Sequence, residues 1–258
     1  MNKYTFICNA YKDHMQLALN LPSLRRVYPD ERIVIITDGD PALEYADFAA
    51  RYKCELIRGE RLYSLECGSQ ITQRMIDTYL ESSGDYLVKF DTDTHFFRPL
   101  ASEPPGTASG CIWGSYGFRY LQGGCRLFSR SCAEQIDRSG ILKGNRYKDI
   151  TAWCPPTAEE EYKDLGQVSD DFIVRDVLLT LGIELTDYPE IFSAGYIKRW
   201  RLMDIQTLTR VLNTDKRYAI THPWKLDDVK WALALKPLLV NTFASDATWQ
   251  DTIANLPQ

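Results

Sequence analysis

The chain has 258 residues, with 30 Lys or Arg against 35 Asp or Glu, and its formal net charge is −5. With 45% hydrophobic and 25% charged residues, the composition is typical of a globular protein and excludes a disordered or fibrous one. The acidic balance and the lack of a Lys/Arg block argue against nucleic acid or an anionic membrane as the main partner. The longest apolar run, 231–235, is far shorter than the roughly 20 residues of a transmembrane helix.

The beginning of the chain and its cysteines indicate a compartment. The first apolar stretch stops at Asn9, whereas a secretory signal needs an apolar segment of about 7–15 residues. Seven cysteines without a C-x-x-C pair or zinc-ligand spacing are typical of free thiols in a reducing environment. We therefore expect a cytoplasmic protein with neither a disulfide framework nor a zinc framework.

Strands alternate with helices over the first 100 residues. The β-branched, apolar and non-alternating segment 32–37 is typical of a parallel strand that is covered on both faces. Pro22 marks a point at which the first helix could be interrupted. We predict strands at 4–8, 32–37, 54–58 and 86–90, and helices at 13–27 and 69–82. This order predicts an α/β fold with a mostly parallel central sheet flanked by helices.

The second half of the chain has a different pattern. The glycine- and aromatic-rich segment 111–129 predicts short strands around Gly123-Gly124. A helix is expected from 131, a long functional loop over 138–168, and a second helix over 169–182. No Pro/Gly/Ser-rich hinge divides the chain, so we expect residues 1–258 to form a single domain.

The sharpest local feature is the segment 86–94, YLVKFDTDT. Its strand delivers Asp91 and Asp93 at its carboxyl end, where open α/β sheets bind their ligands. If the strand continued, its two-residue period would point both carboxylates the same way. Two such oxygen donors suit Mg²⁺ or Mn²⁺, which can bridge phosphate oxygens. The same spacing also occurs at Asp38 and Asp40, and turn or cap carboxylates are the plainer interpretation of either pair.

Three later segments carry further candidates, each with an alternative structural role. Gly123-Gly124 offers backbone that a bulky ligand can approach, or a plain hairpin turn. Asp170-Asp171 opens a helix, where carboxylates also cap N–H groups and stabilise the helix dipole. His222 ends a short apolar strand and is followed by Lys225; a lone histidine is more often structural, and a lone lysine is by default a surface cation.

Taken together and in this order, these residues resemble the GT-A glycosyltransferases, which use nucleotide-diphosphate sugars. The resemblance runs from the first strand to Lys225. It implies a Rossmann-like GT-A fold with a smaller acceptor-side subregion, in which residues 1–100 form a nucleotide-sugar-binding half and residues 101–258 an acceptor-side half. It also implies that Asp91 and Asp93 bind Mn²⁺ or Mg²⁺ and that His222 completes this metal site.

The resemblance also assigns roles to donor and acceptor contacts. The Asn9-Ala10-Tyr11 turn and Asp38 match positions that contact the nucleobase and the ribose. Asp170 or Asp171 matches the acidic residue that, in inverting members, removes the proton from the acceptor hydroxyl. Lys225 and Arg74 could supply further positive charge to the departing diphosphate. Gly123 and Gly124 remain the candidate substrate-binding backbone.

The sequence therefore predicts a metal-dependent, inverting glycosyltransferase that uses a UDP-sugar and a carbohydrate or other hydroxyl acceptor. In a retaining enzyme the base role of Asp170 or Asp171 would be wrong, and the oligomeric state stays open. A haloacid-dehalogenase-like phosphohydrolase with Asp91 as nucleophile is the second interpretation. Its motif, however, has Thr or Val where His95 stands and normally follows the first strand.

Two further classes share parts of the pattern. A sugar-1-phosphate nucleotidylyltransferase would share the sheet, but it needs a Gly-rich, Arg-containing loop after the first strand. This chain has Asn9-Ala10-Tyr11 there. A noncatalytic sugar-binding module stays open, because the 6 Trp, 15 Tyr and 10 Phe residues could stack on sugar rings, although aromatic side chains also simply fill cores.

Overall fold

The fold is that of a computed structural model, which describes residues 3–39, 44–62, 67–114, 119–144, 147, 170–193 and 218–222. Ten strands lie in these ranges: β1 Tyr4–Ala10, β2 Arg32–Asp38, β3 Glu55–Gly59, β4 Tyr86–Phe90, β5 His95–Phe96, β6 Ala108–Trp113, β7 Tyr120–Ser129, β8 Leu185–Asp187, β9 Ile191–Ser193 and β10 Ile220–His222. The described helices are α1 His14–Val27, α2 Glu44–Arg51, α3 Gly68–Leu80, α4 Arg130–Ser139 and α5 Asp170–Thr180.

A seven-stranded sheet forms the centre of the fold, in the order β3-β2-β1-β4-β7-β6-β8. The neighbours β3-β2, β2-β1, β1-β4 and β6-β8 pair in parallel, whereas β7 is antiparallel to both β4 and β6. The predicted α/β class and the mostly parallel central sheet are therefore confirmed. The carboxyl ends of β1, β2 and β4 lie along one edge, which is the edge where parallel sheets bind ligands.

Both faces of this sheet are buried, which explains the unbroken apolar runs in its strands. Successive residues of β1 alternate between two cores: Phe6 and Cys8 pack into one, and Ile7 packs into the other. Apolar residues of α3, α4 and α5 cover the face of Ile7. Residues of α1, α2 and a second, three-stranded sheet cover the face of Phe6.

The second sheet has the order β5-β10-β9 and brings two distant segments of chain together. Strand β10 pairs in parallel with β9, so that His222 lies opposite Ser193, and it is antiparallel to β5. Phe96, Ile191 and Ile220 anchor this sheet in the core on the Phe6 side. It thereby carries His222 to the edge at which β4 ends.

Two local predictions need correction. Helix α1 runs through Pro22 without a break, because burial of Leu17, Leu21 and Leu24 fixes this segment as one helix. The expected short strands around Gly123-Gly124 are also wrong, since both glycines lie inside the ten-residue strand β7. That strand pairs with β4 from Cys125 to Ser129, directly after the two glycines.

Two helices differ from the sequence prediction. Helix α4 begins at Arg130, one residue before its predicted start, and helix α2 was not predicted. Most of the expected 138–168 loop lies outside the described residues. The six cysteines that the structure describes are free thiols. None of the described helices has the length and apolarity needed to cross a bilayer.

Glu190 ties the small sheet to the rest of the molecule. Its carboxylate accepts hydrogen bonds from Arg98 Nη1 at 2.5 Å, Ala101 N at 2.9 Å and Ser102 Oγ at 2.8 Å, and its carbonyl accepts Ala219 N at 2.8 Å. Burial alone would raise the pKa of Glu190, but these donors outweigh it and hold the pKa at about 2. The ionised carboxylate therefore stabilises the sheet that carries His222.

Replacing this carboxylate tests its contribution. Glu190→Gln should lower the free energy of unfolding by about 1–3 kcal/mol at pH 7, since it removes a charged acceptor of several hydrogen bonds. Because the folded pKa lies below the ordinary value of 4.5, the difference from wild type should be complete above about pH 4.5. It should shrink to zero as the pH falls through about 2.

Denaturant unfolding of wild type and variant across this pH range measures the difference. Glu103→Gln is the matched control, because Glu103 forms an exposed ion pair with Lys3 that is worth less than about 1 kcal/mol. Equal effects of the two substitutions would contradict the anchoring role of Glu190.

Candidate metal centre and adjoining cleft

Asp91, Asp93 and His222 converge at the carboxyl end of β4. His222 Nε2 lies 3.5 Å from Asp91 Oδ2 and 3.2 Å from Asp93 Oδ1. One ligand atom from each residue lies within 4.8 Å of the other two. The Asp93 and His222 side chains are 3% and 6% exposed, whereas that of Asp91 is 41% exposed. The centre thus consists of two carboxylates and one imidazole, and it is open to solvent on the side of Asp91.

The two carboxylates converge through a turn and not through a continued strand. Strand β4 ends at Phe90, and Thr94 N donates to Asp91 O at 2.9 Å. The turn is fastened to β7, because Asp91 N and Thr94 Oγ1 both donate to Gly124 O, at 3.0 Å and 2.6 Å. The period-two expectation for Asp91 and Asp93 is therefore replaced by a hydrogen-bonded turn.

The imidazole of His222 is positioned by close packing on β7. A Cβ on Gly124 would lie 2.2 Å from both Cγ and Nδ1 of His222, so only glycine leaves room for the ring. On its other side, Nδ1 lies 2.9 Å from Ser193 Oγ. Nε2 is the nitrogen that faces Asp91 and Asp93.

This arrangement fits a small divalent ion. Neighbouring ligands of an octahedral ion with bonds of about 2.1 Å lie about 3.0 Å apart, close to the observed separations of 3.2 Å and 3.5 Å. Two carboxylates suit Mg²⁺ and Mn²⁺, and the imidazole nitrogen favours Mn²⁺ over the harder Mg²⁺. The exposed side of Asp91 leaves positions open for water or a ligand.

Lys89 is a buried cation in this centre that sequence reasoning missed. Its ammonium donates to Asp91 Oδ1 and to Gly123 O. Burial alone would lower the pKa of Lys89, but the carboxylates of Asp91 and Asp170 outweigh it and raise the pKa. Lys89 is therefore charged, and it offsets part of the negative charge of the centre. A lysine inside the apolar strand YLVKF was the available signal.

Arg126 binds both members of the predicted acidic pair. Its guanidinium donates to Asp170 Oδ2 at 2.7 Å and to Asp171 Oδ1 at 2.8 Å, and its side chain is only 1% exposed. Asp171 Oδ2 also accepts Gly123 N at 3.1 Å. The acidic pair thus connects α5 to β7 through Arg126. Arg126 was not identified from the sequence as a residue of the site.

The two carboxyls of this pair differ in acidity. Burial and then the neighbouring charge of Asp170 raise the pKa of Asp171 to about 6. Burial would also raise the pKa of Asp170, but the charges of Arg126 and Lys89 outweigh it and lower that pKa. Asp170 is therefore the more readily ionised member of the pair.

A cleft of about 160 Å³ adjoins the centre and unites many of the predicted site residues. It is lined by Asn9, Ala10, Tyr11, Asp13, Asp38, Leu62, Ile71, Lys89, Asp91 and Asp170. Six of these were singled out from the sequence as nucleotide-sugar, metal or catalytic residues. Asp171 is absent from this lining, so Asp170 is the member of the acidic pair that a ligand in the cleft would meet.

Arg74 lies behind the cleft and fixes two of its walls. Its guanidinium donates to Asn9 Oδ1 at 2.9 Å and to Asp38 Oδ1 at 3.3 Å. Asp38 also accepts Arg61 Nη1 at 2.8 Å and Leu62 N at 2.6 Å. Arg74 does not line this smaller cleft but a larger neighbouring one, of about 690 Å³, between α3 and the segment 142–144. Asp91, Asp93 and His222 do not line the larger cleft.

Tyr11 presents an aromatic ring at the mouth of the smaller cleft. The Arg61 guanidinium lies 3.3 Å from the centre of this ring, a cation–π contact. Because Arg61 is itself held by Asp38, the ring is fixed to the end of β2.

The remaining predicted residues have different outcomes. The space above Gly123 and Gly124 is filled by side chains of the protein, since a Cβ on Gly123 would lie 2.2 Å from Asp171 Oδ1. The two glycines therefore leave room for Asp171 and His222, and their predicted contact with a substrate stays a prediction. Lys225 lies outside the described residues.

Comparison with protein-family models and with curated protein sequences gave no match. What bears on the chemistry of this chain is therefore its own geometry and charge.

The close packing of His222 on Gly124 gives a direct test. Gly124→Ala should displace the imidazole and weaken Mn²⁺ binding by about tenfold or more, since the new Cβ would overlap the ring. Mn²⁺ titrations followed by electron paramagnetic resonance measure the affinity.

Gly144→Ala is the matched control, because the nearest atoms to its Cβ lie at an ordinary 3.8 Å. That variant should bind Mn²⁺ like wild type. Unchanged affinity in Gly124→Ala would exclude His222 as a ligand in the position described.

Proposed function

We propose that the chain is a metal-dependent GT-A glycosyltransferase that transfers a sugar from a nucleotide-diphosphate donor, with UDP-sugar favoured, to a hydroxyl acceptor. The observation that carries the proposal is the convergence of Asp91, Asp93 and His222 beside the cleft of Asn9-Ala10-Tyr11 and Asp38. In the GT-A resemblance, these are the metal and donor positions. Their proximity supports the roles that the resemblance implies.

The charge of the centre supports a divalent ion and an anionic ligand. Among the described residues, Lys89 is paired with Asp91, and Arg126 is paired with Asp170 and Asp171. Four carboxylates, those of Asp91, Asp93, Asp170 and Asp171, thus lie in this centre with two buried cations, and this acidic group would attract a divalent ion. When bound, such an ion stabilises a departing diphosphate as a Lewis acid.

In the proposed reaction, the described residues have separate roles. Asp91, Asp93 and His222 would hold the ion, and Lys89 would limit the repulsion between Asp91 and an incoming phosphate. Asn9, Ala10 and Tyr11 form the wall for the nucleoside. The cleft of about 160 Å³ is smaller than the roughly 300–1,000 Å³ of a whole ligand pocket, so these residues would enclose part of a nucleotide sugar.

Asp170 is the better candidate for the base of an inverting transfer. It lines the cleft, and this position carries the choice, because the lowered pKa of Asp170 by itself makes its carboxylate a weaker base. Asp171 has both carboxylate oxygens engaged by Arg126 and by Gly123 N. It therefore holds α5 against β7, and Asp170 is the member that can meet an acceptor hydroxyl.

Calorimetry of nucleotide binding tests the donor site. UDP should bind in the presence of Mn²⁺ and much more weakly without it, because Asp91, Asp93 and His222 would hold the ion that neutralises the diphosphate. GDP, titrated in parallel, reports the preference for the base. Asp93→Asn, which keeps the size of the side chain, should abolish the effect of Mn²⁺. Binding that does not depend on the metal, or no binding of either nucleotide, contradicts the proposal.

Substitution of the acidic pair separates a base from a structural carboxylate. Asp170→Asn should lower the rate of hydrolysis of the bound UDP-sugar by about 10²–10⁴-fold and leave UDP affinity unchanged. Asp171→Asn should mainly lower the melting temperature, because it weakens the joint to Arg126 and Gly123. Rates from a coupled UDP-release assay and thermal unfolding measure the two effects. The reverse pattern would assign the base role to Asp171.

A further inference from the structure

We infer that Gln122 and Ser193 are positioning residues that keep a proton on His222 Nδ1, so that Nε2 is the nitrogen that binds an ion beside Asp91 and Asp93. The inference deepens the proposed function and rests on its metal site. It follows from the direction of three consecutive hydrogen bonds on three different strands.

The first bond fixes the orientation of the Gln122 amide. Gly124 N lies 2.6 Å from Gln122 Oε1, and a backbone N–H can only donate. The atom of Gln122 at this point is therefore the amide oxygen, which only accepts. Both residues lie on β7, two positions apart, so their backbone places them on the same face of the sheet.

The second bond fixes the hydroxyl proton of Ser193. Ser193 Oγ is hydrogen-bonded to the same Gln122 Oε1. Because that oxygen cannot donate, the serine hydroxyl must donate its proton to it. A hydroxyl has one proton, so Ser193 Oγ can only accept in its remaining contacts.

The third bond fixes the tautomer of the imidazole. His222 Nδ1 lies 2.9 Å from Ser193 Oγ, and since this oxygen can only accept, Nδ1 must carry a proton. A neutral imidazole has one N–H, so when the ring binds an ion, Nδ1 keeps the proton and Nε2 supplies the lone pair. Without the ion, Nε2 can itself donate to the Asp93 carboxylate, which only accepts. Nε2 is the nitrogen at 3.2 Å from Asp93 Oδ1, where the metal would bind.

Burial shields this chain of three hydrogen bonds from water. Gln122, Ser193 and His222 are all buried, so bulk water does not compete for the three bonds. The pairing of β9 with β10 places Ser193 directly opposite His222. Hydrogen bonds from the second nitrogen of a ligating histidine commonly set its tautomer, and losing them costs about 10–100-fold in metal affinity.

Nitrogen NMR of the histidines tests the inference without metal or nucleotide. The chain has only 3 His residues, so ¹⁵N-histidine labelling resolves each ring, and loss of one signal in His222→Gln assigns His222. In the metal-free protein, His222 Nδ1 should carry a proton whether or not Nε2 also carries one. A His222 Nδ1 without a proton in the wild-type protein overturns the inference.

A pair of Gln122 variants tests whether Gln122 sets the protonated nitrogen of His222 through Ser193. Gln122→Met keeps the length of the side chain but removes the acceptor, so the Ser193 hydroxyl is released to donate to Nδ1 and the proton of His222 should move to Nε2. Gln122→Glu keeps an acceptor oxygen and should retain the wild-type tautomer. Ser193→Ala, which removes the acceptor for Nδ1, provides a second variant if Gln122→Met does not fold.

Metal affinity gives the functional readout. Gln122→Met should bind Mn²⁺ about 10–100-fold more weakly than wild type, and Gln122→Glu should not show this loss. An unchanged tautomer and unchanged Mn²⁺ affinity in both Gln122→Met and Ser193→Ala would overturn the inference. Failure to bind any nucleotide would instead contradict the proposed function alone, because neither readout uses a nucleotide.

Discussion

The backbone of Gly123 and Gly124 in the middle of β7 is the constraint on which the rest of the site depends. Gly124 O accepts the turn that carries Asp91, and Gly124 N orients Gln122. Gly123 O accepts Lys89, and Gly123 N donates to Asp171. All four polar groups of the two glycines thus hold residues of the site. The missing side chains are equally important, because they leave the space in which His222 and Asp171 lie.

A second constraint is the balance of charge beneath the cleft. Burying carboxylates is costly unless cations accompany them, and Lys89 and Arg126 supply two such cations from neighbouring strands. The register of β4 with β7 places these two residues opposite each other. In the proposed function, a divalent ion held by Asp91, Asp93 and His222 would let a chain with a net charge of −5 hold an anionic ligand. The acidic composition excludes a broad basic surface but permits one metal-bridged anion.

Much of the sheet could be predicted from the sequence, because its inner strands are apolar and β-branched on both faces. Segment 86–90 matches β4, and the predicted segment 32–37 is one residue shorter than β2. Strand β7 was predicted incorrectly, because glycines ordinarily interrupt strands. Here Gly123 and Gly124 lie within the strand because they leave space for side chains of α5 and β10. Lys89 and Arg126 were visible as single charges within apolar strands. Gln122 and Ser193 carry no such signal, because their role depends on contacts that only the folded chain creates.

The central claim is that Asp91, Asp93 and His222 bind one divalent ion. Crystals soaked in Mn²⁺ and measured at the manganese absorption edge test it most directly. The map should show one strong anomalous peak per chain, about 2.1–2.2 Å from a carboxylate oxygen of each aspartate and from His222 Nε2. An anomalous map without a peak between these three residues, or with a peak that His222 does not contact, would contradict it.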